Sequence, residues 1–413
     1  MKIKYNNPFV ALKHKNFRYY WFGMSISLIG TWMQNTAQPW LAYTLTNSPF
    51  LLSLIGMLQF TPMLLFSLFA GVIIDKFPKK RILIFTQSAS LVITFILAML
   101  VWTGNIRYWH ILIMATALGF VNTLDMPTRQ SFVIELVGKE YLLNAIALNS
   151  SVFNIARIIG PAVAGIIMGY AGIATCFFIN SLSYAAVLIS LIFIKPEFTQ
   201  NLKNKSDNMV MTIKDGLKYI YDSEILYPSI LMIAIVGTFA MNFNVLVPVF
   251  AEQVLNQQET GFGLLMSLMG IGSFLGAMFI ATTNKSNSNN FTKFIMNAFP
   301  FIIGVLLIFT GLTKEYFLTG LCLALTGAFF VAFSSTANSI MQLNSTNEYR
   351  GRVMSVYSLV FVGSTPIGNL FTGIISEHFG ANTGFIVCGT TVLLLLIPLF
   401  IYKNKMKNHI FPH

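Results

Sequence analysis

Charge is scarce in this chain. Only 10% of its 413 residues are Asp, Glu, Lys or Arg, against about 25% in a typical soluble domain. So few charges cannot cover a water-facing surface. With 55% hydrophobic residues and a mean hydropathy of +0.70, the solvent that fits is lipid. Cysteine is scarce too. Cys176, Cys322 and Cys388 lie inside apolar runs with no CxxC spacing, which excludes a disulfide framework and a thiolate metal site. The five histidines are scattered (His14, His110, His378, His409, His413), so no metal or cofactor is expected. No stretch follows the phosphate-cradling GxxxxGK[ST] pattern, so ATP is not the expected direct energy source. Nor is there a cluster of carboxylates, His or Ser with His in one set of spans, which argues against a membrane enzyme.

What is abundant is long apolar sequence. A helix needs about 20 apolar residues to cross the hydrocarbon. Twelve runs qualify, at roughly 18–44, 50–74, 82–103, 108–128, 139–169, 172–194, 226–250, 261–283, 293–313, 316–341, 352–376 and 383–402. The first exceeds the apolar core of a cleavable signal and lacks a small-residue cleavage site after it, so it is expected to be retained. The sixth and seventh runs are separated by the longest polar segment. The expected plan is therefore an all-α membrane protein of two six-helix bundles, 1–195 and 225–413, joined by a cytoplasmic linker at 196–224.

The net charge of +12 would suggest nucleic acid in a soluble protein. Here the basic residues sit in the links between spans, so no nucleic-acid partner is expected. With the N-terminus inside, 23 of the 26 Lys and Arg fall in cytoplasmic segments; only Arg107 and Lys314 fall outside, and Arg157 lies within a span. That asymmetry is a positive-inside signal. It predicts both termini in the cytoplasm and an even number of crossings.

The chain also repeats itself. A shift of 208 residues superposes Glu140, Tyr141, Phe153, Gly160, Gly165 and Gly172 on Glu348, Tyr349, Phe361, Gly368, Gly373 and Gly380 without a gap. The fifth and eleventh spans are thus counterparts in two halves of the same orientation, a plan common among secondary transporters.

One link is unusually charged: GVIIDKFPKKR, Gly71 to Arg81. It resembles the signature loop between the second and third helices of the major facilitator superfamily. Gly71, Asp75, Lys76, Lys79 and Lys80 match that pattern, and Pro78 stands where the family usually has Gly. A second stretch, RIIGPAVAGIIMG, is similar to the antiporter signature of drug exporters. Gly160, Pro161 and Gly165 match it, and the usual paired glycine is missing. DMPTRQSFV, NAIALNSSVFNIARIIGP and RGRVMSVYSLV resemble the branch that holds the enterobactin exporter and macrolide efflux proteins. The resemblance covers nearly the whole chain. It implies alternating access by two rocking bundles and export powered by proton entry. The cargo it implies is a small amphipathic molecule such as a siderophore, drug or metabolite. It also implies a monomer in a bacterial cytoplasmic membrane. A lysolipid flippase on the same scaffold, or a transport-inactive sensor, is the alternative.

On that resemblance the loop is expected to act as a latch. Gly71 would let helices approach closely, and Asp75 would meet the N-terminus of the eleventh helix near Arg352. The basic residues would tie the cytoplasmic face together; anchoring alone is the other reading. Arg157 is a cation inside a span, a placement that costs about 2.5–3.5 kcal/mol on insertion scales, so it should face the protein and find a partner. It is read either as a substrate or coupling contact or as a cap on a carbonyl near Pro161, with Asn154 on the same face. Asp125 and Arg129 are four apart at the end of the fourth span. They would pair on an unbroken helix, which Pro127 puts in question. Asp125 is read either as a proton-coupling carboxylate or as half of a gating ion pair. Polar residues that line a cavity or join helices complete the set: Gln34, Asn35, Gln38, Asn242, Asn244, Ser334, Asn338 and Tyr357. The seventh span is expected to unwind near Pro248. Glycines 270–276 are expected to pack helices, and Pro39, Pro62, Pro161, Pro248 and Pro366 to bend them.

Overall fold

A computed structural model describes residues 9–194, 209–283, 289–346 and 348–410. Much of the expected linker, and the side chain of Asp75, lie outside the described part. Every regular element among the described residues is helical. A 3-10 turn at Val10–Lys13 precedes α1 (Lys15–Thr46), α2 (Pro49–Lys76), α3 (Lys79–Trp102), α4 (Tyr108–Ala171) and α5 (Ile173–Phe193). A short helix, α6 (Met209–Tyr221), opens the second half. After it come α7 (Leu226–Ala240), α8 (Phe243–Gln253), α9 (Glu259–Thr283), α10 (Asn289–Leu312), α11 (Tyr316–Leu343) and α12 (Arg350–Ile410).

The twelve expected crossings map onto these elements with shifted boundaries. Nine helical segments among the described residues are long and apolar enough to cross a membrane. Two of them, α4 and α12, are each a pair of spans that turns at a glycine: Gly138 (φ 70°) and Gly380 (φ 83°). Positive φ costs glycine nothing because it has no Cβ. The twelfth crossing is α1, long enough at 32 residues but diluted by polar side chains. The seventh span is α7 and α8 together. It breaks at Met241 and Asn242, not at Pro248, which sits inside α8. The other named prolines also lie inside continuous helices. The backbone is interrupted at Gly138, at Gly380 and at Asn242.

The chain divides into two compact units. One holds Met1–Leu45 and Thr61–Asn204, and the other holds Thr46–Phe60 and Lys205–His413. In the first unit α3 packs against α4 and α5, and Tyr20 meets Phe132 edge-on across α1 and α4 at 5.5 Å. Apolar residues such as Leu83, Phe132, Val187 and Leu191 are buried there. In the second unit α9 packs on α11, α10 on α11 and α12, and α7 on α12. Glycine makes the α9–α11 contact possible. A Cβ at Gly272 or Gly276 would collide with the carbonyls of Ala324 and Ala328, so the backbones touch as small-residue membrane interfaces do. Large apolar side chains such as Phe22, Phe85, Leu275 and Phe309 are more than half exposed, as lipid-facing positions should be.

The second unit also takes in the start of α2. Ser48 caps that helix, accepting the Leu51 N–H at 3.1 Å. The Glu377 carboxylate of α12 accepts the Ser48 hydroxyl at 2.8 Å and the Phe50 N–H at 3.0 Å. Pro49 sits in the first helical turn, where its missing N–H costs little. The expected bundle of 1–195 therefore gives residues 46–60 to its neighbour's unit.

The repeat is visible in the backbone. Gly172 (φ 81°, ψ 161°) and its counterpart Gly380 (φ 83°, ψ 162°) share one conformation and each closes the arm before it. Gly160 packs against Trp32 of α1, and its counterpart Gly368 packs against Thr238 of α7. The fifth span leans on the first as the eleventh leans on the seventh.

Candidate functional site: two arginines on the arms of α4

The first arm of α4 continues through Pro127 to Val137 rather than ending near residue 128. Asp125 and Arg129 are therefore on one unbroken helix, and the expected i,i+4 ion pair forms between the Arg129 Nε and the Asp125 Oδ2. The longer arm also places the pair more than a turn inside the span. Asp125 is 5% exposed, and its other oxygen is held from α3. The Thr86 hydroxyl donates to Oδ1 at 2.6 Å and the Gln87 amide at 2.8 Å. Arg129 also reaches the Met24 sulfur at 2.7 Å. Tyr20 lies within electrostatic range of both charges, and its buried hydroxyl has no hydrogen-bond partner among the described residues. This is a carboxylate with three donors and one counter-charge in a membrane-embedded core.

The second arm carries Arg157. It makes no ion pair with any described residue. Its guanidinium lies over the Trp32 ring at 5.4 Å from the centroid, and its Nε is buried without a hydrogen-bond partner. The carbonyl cap near Pro161, one of its two readings, is not made among the described residues. Trp32 also meets Phe153 edge-on at 5.6 Å. Asn154 is half-buried and turns back to the Ser150 carbonyl at 2.8 Å. Gly160 and Pro161 are buried, Gly160 against Trp32, and Gly165 is buried one turn on. The antiporter-like motif thus brings its helix close enough to α1 for Arg157 to cover an indole face.

Gln34 and Gln38 sit inside the first unit. Asn180 of α5 donates to the Gln34 Oε1 at 2.5 Å, Thr94 of α3 donates to it at 3.2 Å, and Gln34 donates to Gln38 at 3.3 Å. Both glutamines are 4% exposed, so they join helices rather than face open space. Asn35, on the adjoining face, is half-buried. In the second unit Asn242 caps the break between α7 and α8. It donates to the Thr238 carbonyl at 2.8 Å, and its buried Oδ1 has no partner among the described residues. Asn244 is exposed. Ser334 bonds back to Val331, and Asn338 accepts from Gln342 at 2.6 Å. Tyr357 interacts with Asn338 and stacks on Phe361 at 5.8 Å.

The signature loop is held by its lysines. Lys79 pairs with Glu135 near the end of the first α4 arm, and Lys80 donates to the Ile194 carbonyl after α5 at 2.7 Å. Lys76 is exposed at the end of α2. Pro78 has φ −58° and heads α3, a conformation that Pro supplies and Gly is not needed for. A Cβ at Gly71 would meet no described atom within 4 Å. Arg352 pairs with Asp215 of α6 at 3.2 Å and covers Tyr349 at 5.1 Å. Tyr219 of α6 stacks on the same Tyr349 at 4.5 Å, almost parallel.

Sequence reasoning missed Thr86, Gln87, Trp32, Asn180, Asp215 and Glu377. Each acts across a sequence separation that neither periodicity nor charge spacing reveals.

This assembly of paired spans, a duplicated backbone and few buried charges defines a multi-pass membrane transporter. Residues 6–409 match the family described as transmembrane secretion effector, and the chain belongs to it, within the major facilitator superfamily. It is 26% identical to the staphyloferrin A transporter of Staphylococcus aureus over 94% of this chain and 96% of that one. It is 23% identical to macrolide efflux protein A of Streptococcus pyogenes, covering 91% and 93% of the two chains. Among solved structures, the nucleoside transporter NupG superposes with a TM-score of 0.76 over 94% of this chain and 98% of its own, at 10% identity.

Proposed function

We propose that this protein exports a small amphipathic molecule, a siderophore, drug or secondary metabolite, across a bacterial cytoplasmic membrane in exchange for protons. The observation that carries the reading is Asp125. It is an acid buried in a membrane span, in a family whose relatives include a staphyloferrin A transporter and a macrolide efflux protein. A carboxylate that trades a bound Arg for a proton is a means of coupling ion entry to a change of helix packing. Arg129, Thr86 and Gln87 hold the charged form; protonation would release Arg129 and loosen α3 from α4. The chain works as a monomer with both termini in the cytoplasm, the orientation that the Lys and Arg distribution favours. Asp75, Lys76 and Arg352 serve conformational switching on the strength of the signature loop's resemblance. Asn35, Asn154, Asn244 and Ser334 are the polar residues offered to cargo.

Expression in a drug-sensitive bacterial host lacking its own efflux pumps tests this. Tolerance to a panel of macrolides and other amphipathic drugs, and siderophore secretion under iron limitation, should rise over the empty-vector control. A protonophore at a sub-lethal dose should abolish the gain. No gain for any compound, or a gain indifferent to the protonophore, contradicts the proposal.

A further inference from the structure

We propose that Arg157, with Trp32 beside it, is a recognition site for a carboxylate group on the cargo, so that the transported class includes amphipathic monocarboxylic acids. The inference rests on the export reading above.

Two arginines lie in the membrane-embedded arms of α4, and their surroundings differ in kind. Arg129 has its acid, Asp125. Arg157 has no ion pair or hydrogen bond among the described residues, although its Nε is buried. An indole face covers one side of the guanidinium. That contact favours a cation but accepts none of its five N–H donors, which lie in the guanidinium plane. A planar, weakly hydrated cation with its donors unused is suited to a planar anion that takes two parallel hydrogen bonds. One cation balances one negative charge, and no Lys or second Arg of the same arm stands within a helical turn. A monoanionic oxyacid therefore fits, and a phosphate monoester dianion does not. The neighbours Trp32 and Phe153 are aromatic, so the rest of such a ligand is apolar beside its acid. A carboxylate cargo and the phosphodiester of a phospholipid share this chemistry. Cargo is favoured because Arg157 belongs to the span that also bears the antiporter-like glycines.

The test uses the purified full chain with Trp21, Trp40, Trp102 and Trp109 replaced by Phe, which leaves Trp32 as the only indole. The probes are 4-phenylbutanoate, its neutral amide, and dihexanoylphosphatidylglycerol, each titrated while Trp32 emission is followed. Phenylbutanoate should shift the emission saturably and the amide should not. Arg157→Gln should weaken phenylbutanoate binding at least ~tenfold, an effect of one pK-sized step in free energy. Arg157→Lys, which keeps the charge and loses the fork, should fall between. The same ranking in thermal shifts of the otherwise unmodified chain guards against misfolding of the four-Phe background. Equal responses to acid and amide, no response to either, or undiminished binding by Arg157→Gln would overturn the site. A response to the phosphatidylglycerol alone would overturn the carboxylate assignment. The titration needs no gradient and no turnover, so its failure would leave proton-driven export to be judged by transport alone.

Discussion

The two arms of α4 solve the same problem in opposite ways. Each holds an arginine in surroundings where a lone charge is costly. On the first arm Arg129 is neutralised by Asp125, and Asp125 is in turn held by Thr86 and Gln87. On the second arm Arg157 rests on Trp32 and is otherwise unmatched among the described residues. The first arrangement pairs its charges within the protein; the second leaves its charge without a counter-charge among the described residues. On the functions proposed above, the first group would store a conformational state and the second would meet a passenger.

The comparison is broken most directly by deleting each cation. Arg129→Gln leaves Asp125 buried and unpaired, and breaking a buried pair costs about 3–5 kcal/mol. The purified variant should melt well below the parent. Arg157→Gln removes a charge with no counter-charge, so it should be neutral or stabilising, by up to ~2.5 kcal/mol on insertion scales. Thermal melts in detergent read both. Equal losses would mean that Arg157 has a structural partner after all.

The repeat sharpens the contrast between halves. Gly160→Ala would drive a methyl into Trp32 and Gly368→Ala into the Thr238 carbonyl. Overpacking of this kind costs about 1–3 kcal/mol. The two variants should lose similar stability, measured by the same melts. Loss in one alone would show that the matching glycines do not do matching work.

Smaller still is the clamp on α2. Glu377→Gln keeps the shape but removes the charge from two hydrogen bonds, which are worth about 1.5–3 kcal/mol when charge-assisted and less at an exposed site. Faster hydrogen exchange at the first turn of α2 would report it. Lys80→Ala, which loses one bond to the Ile194 carbonyl, should change stability by less than about 1 kcal/mol.

Much of this was legible in the residues. Twelve apolar runs, the 208-residue repeat and the charged loop lead to the fold because span length and link charge are local properties. The Asp125–Arg129 pair was legible as an i,i+4 spacing, and only Pro127 obscured it. What stayed hidden is whatever depends on a partner far along the chain. Nothing near Arg157 in sequence points to Trp32, 125 residues earlier by their numbers, and nothing near Gln34 points to Asn180. One break was misplaced: the seventh span unwinds at Met241 and Asn242, six residues before the expected Pro248. In lipid a proline can stay inside a helix when neighbours re-satisfy the freed backbone. The turns within α4 and α12 fall at Gly138 and Gly380, where φ is positive, inside the links expected there.

The most direct measurement is cargo accumulation in everted membrane vesicles energised by respiration, comparing the parent chain with Asp125→Asn at equal abundance. The cargo is whichever compound the tolerance panel yields. The parent should concentrate it and lose that ability when nigericin collapses the pH gradient. The Asn variant should fail to concentrate it while still exchanging labelled for unlabelled cargo. If Asp125→Asn accumulates cargo as the parent does, and with the same dependence on the gradient, Asp125 does not couple proton entry to export.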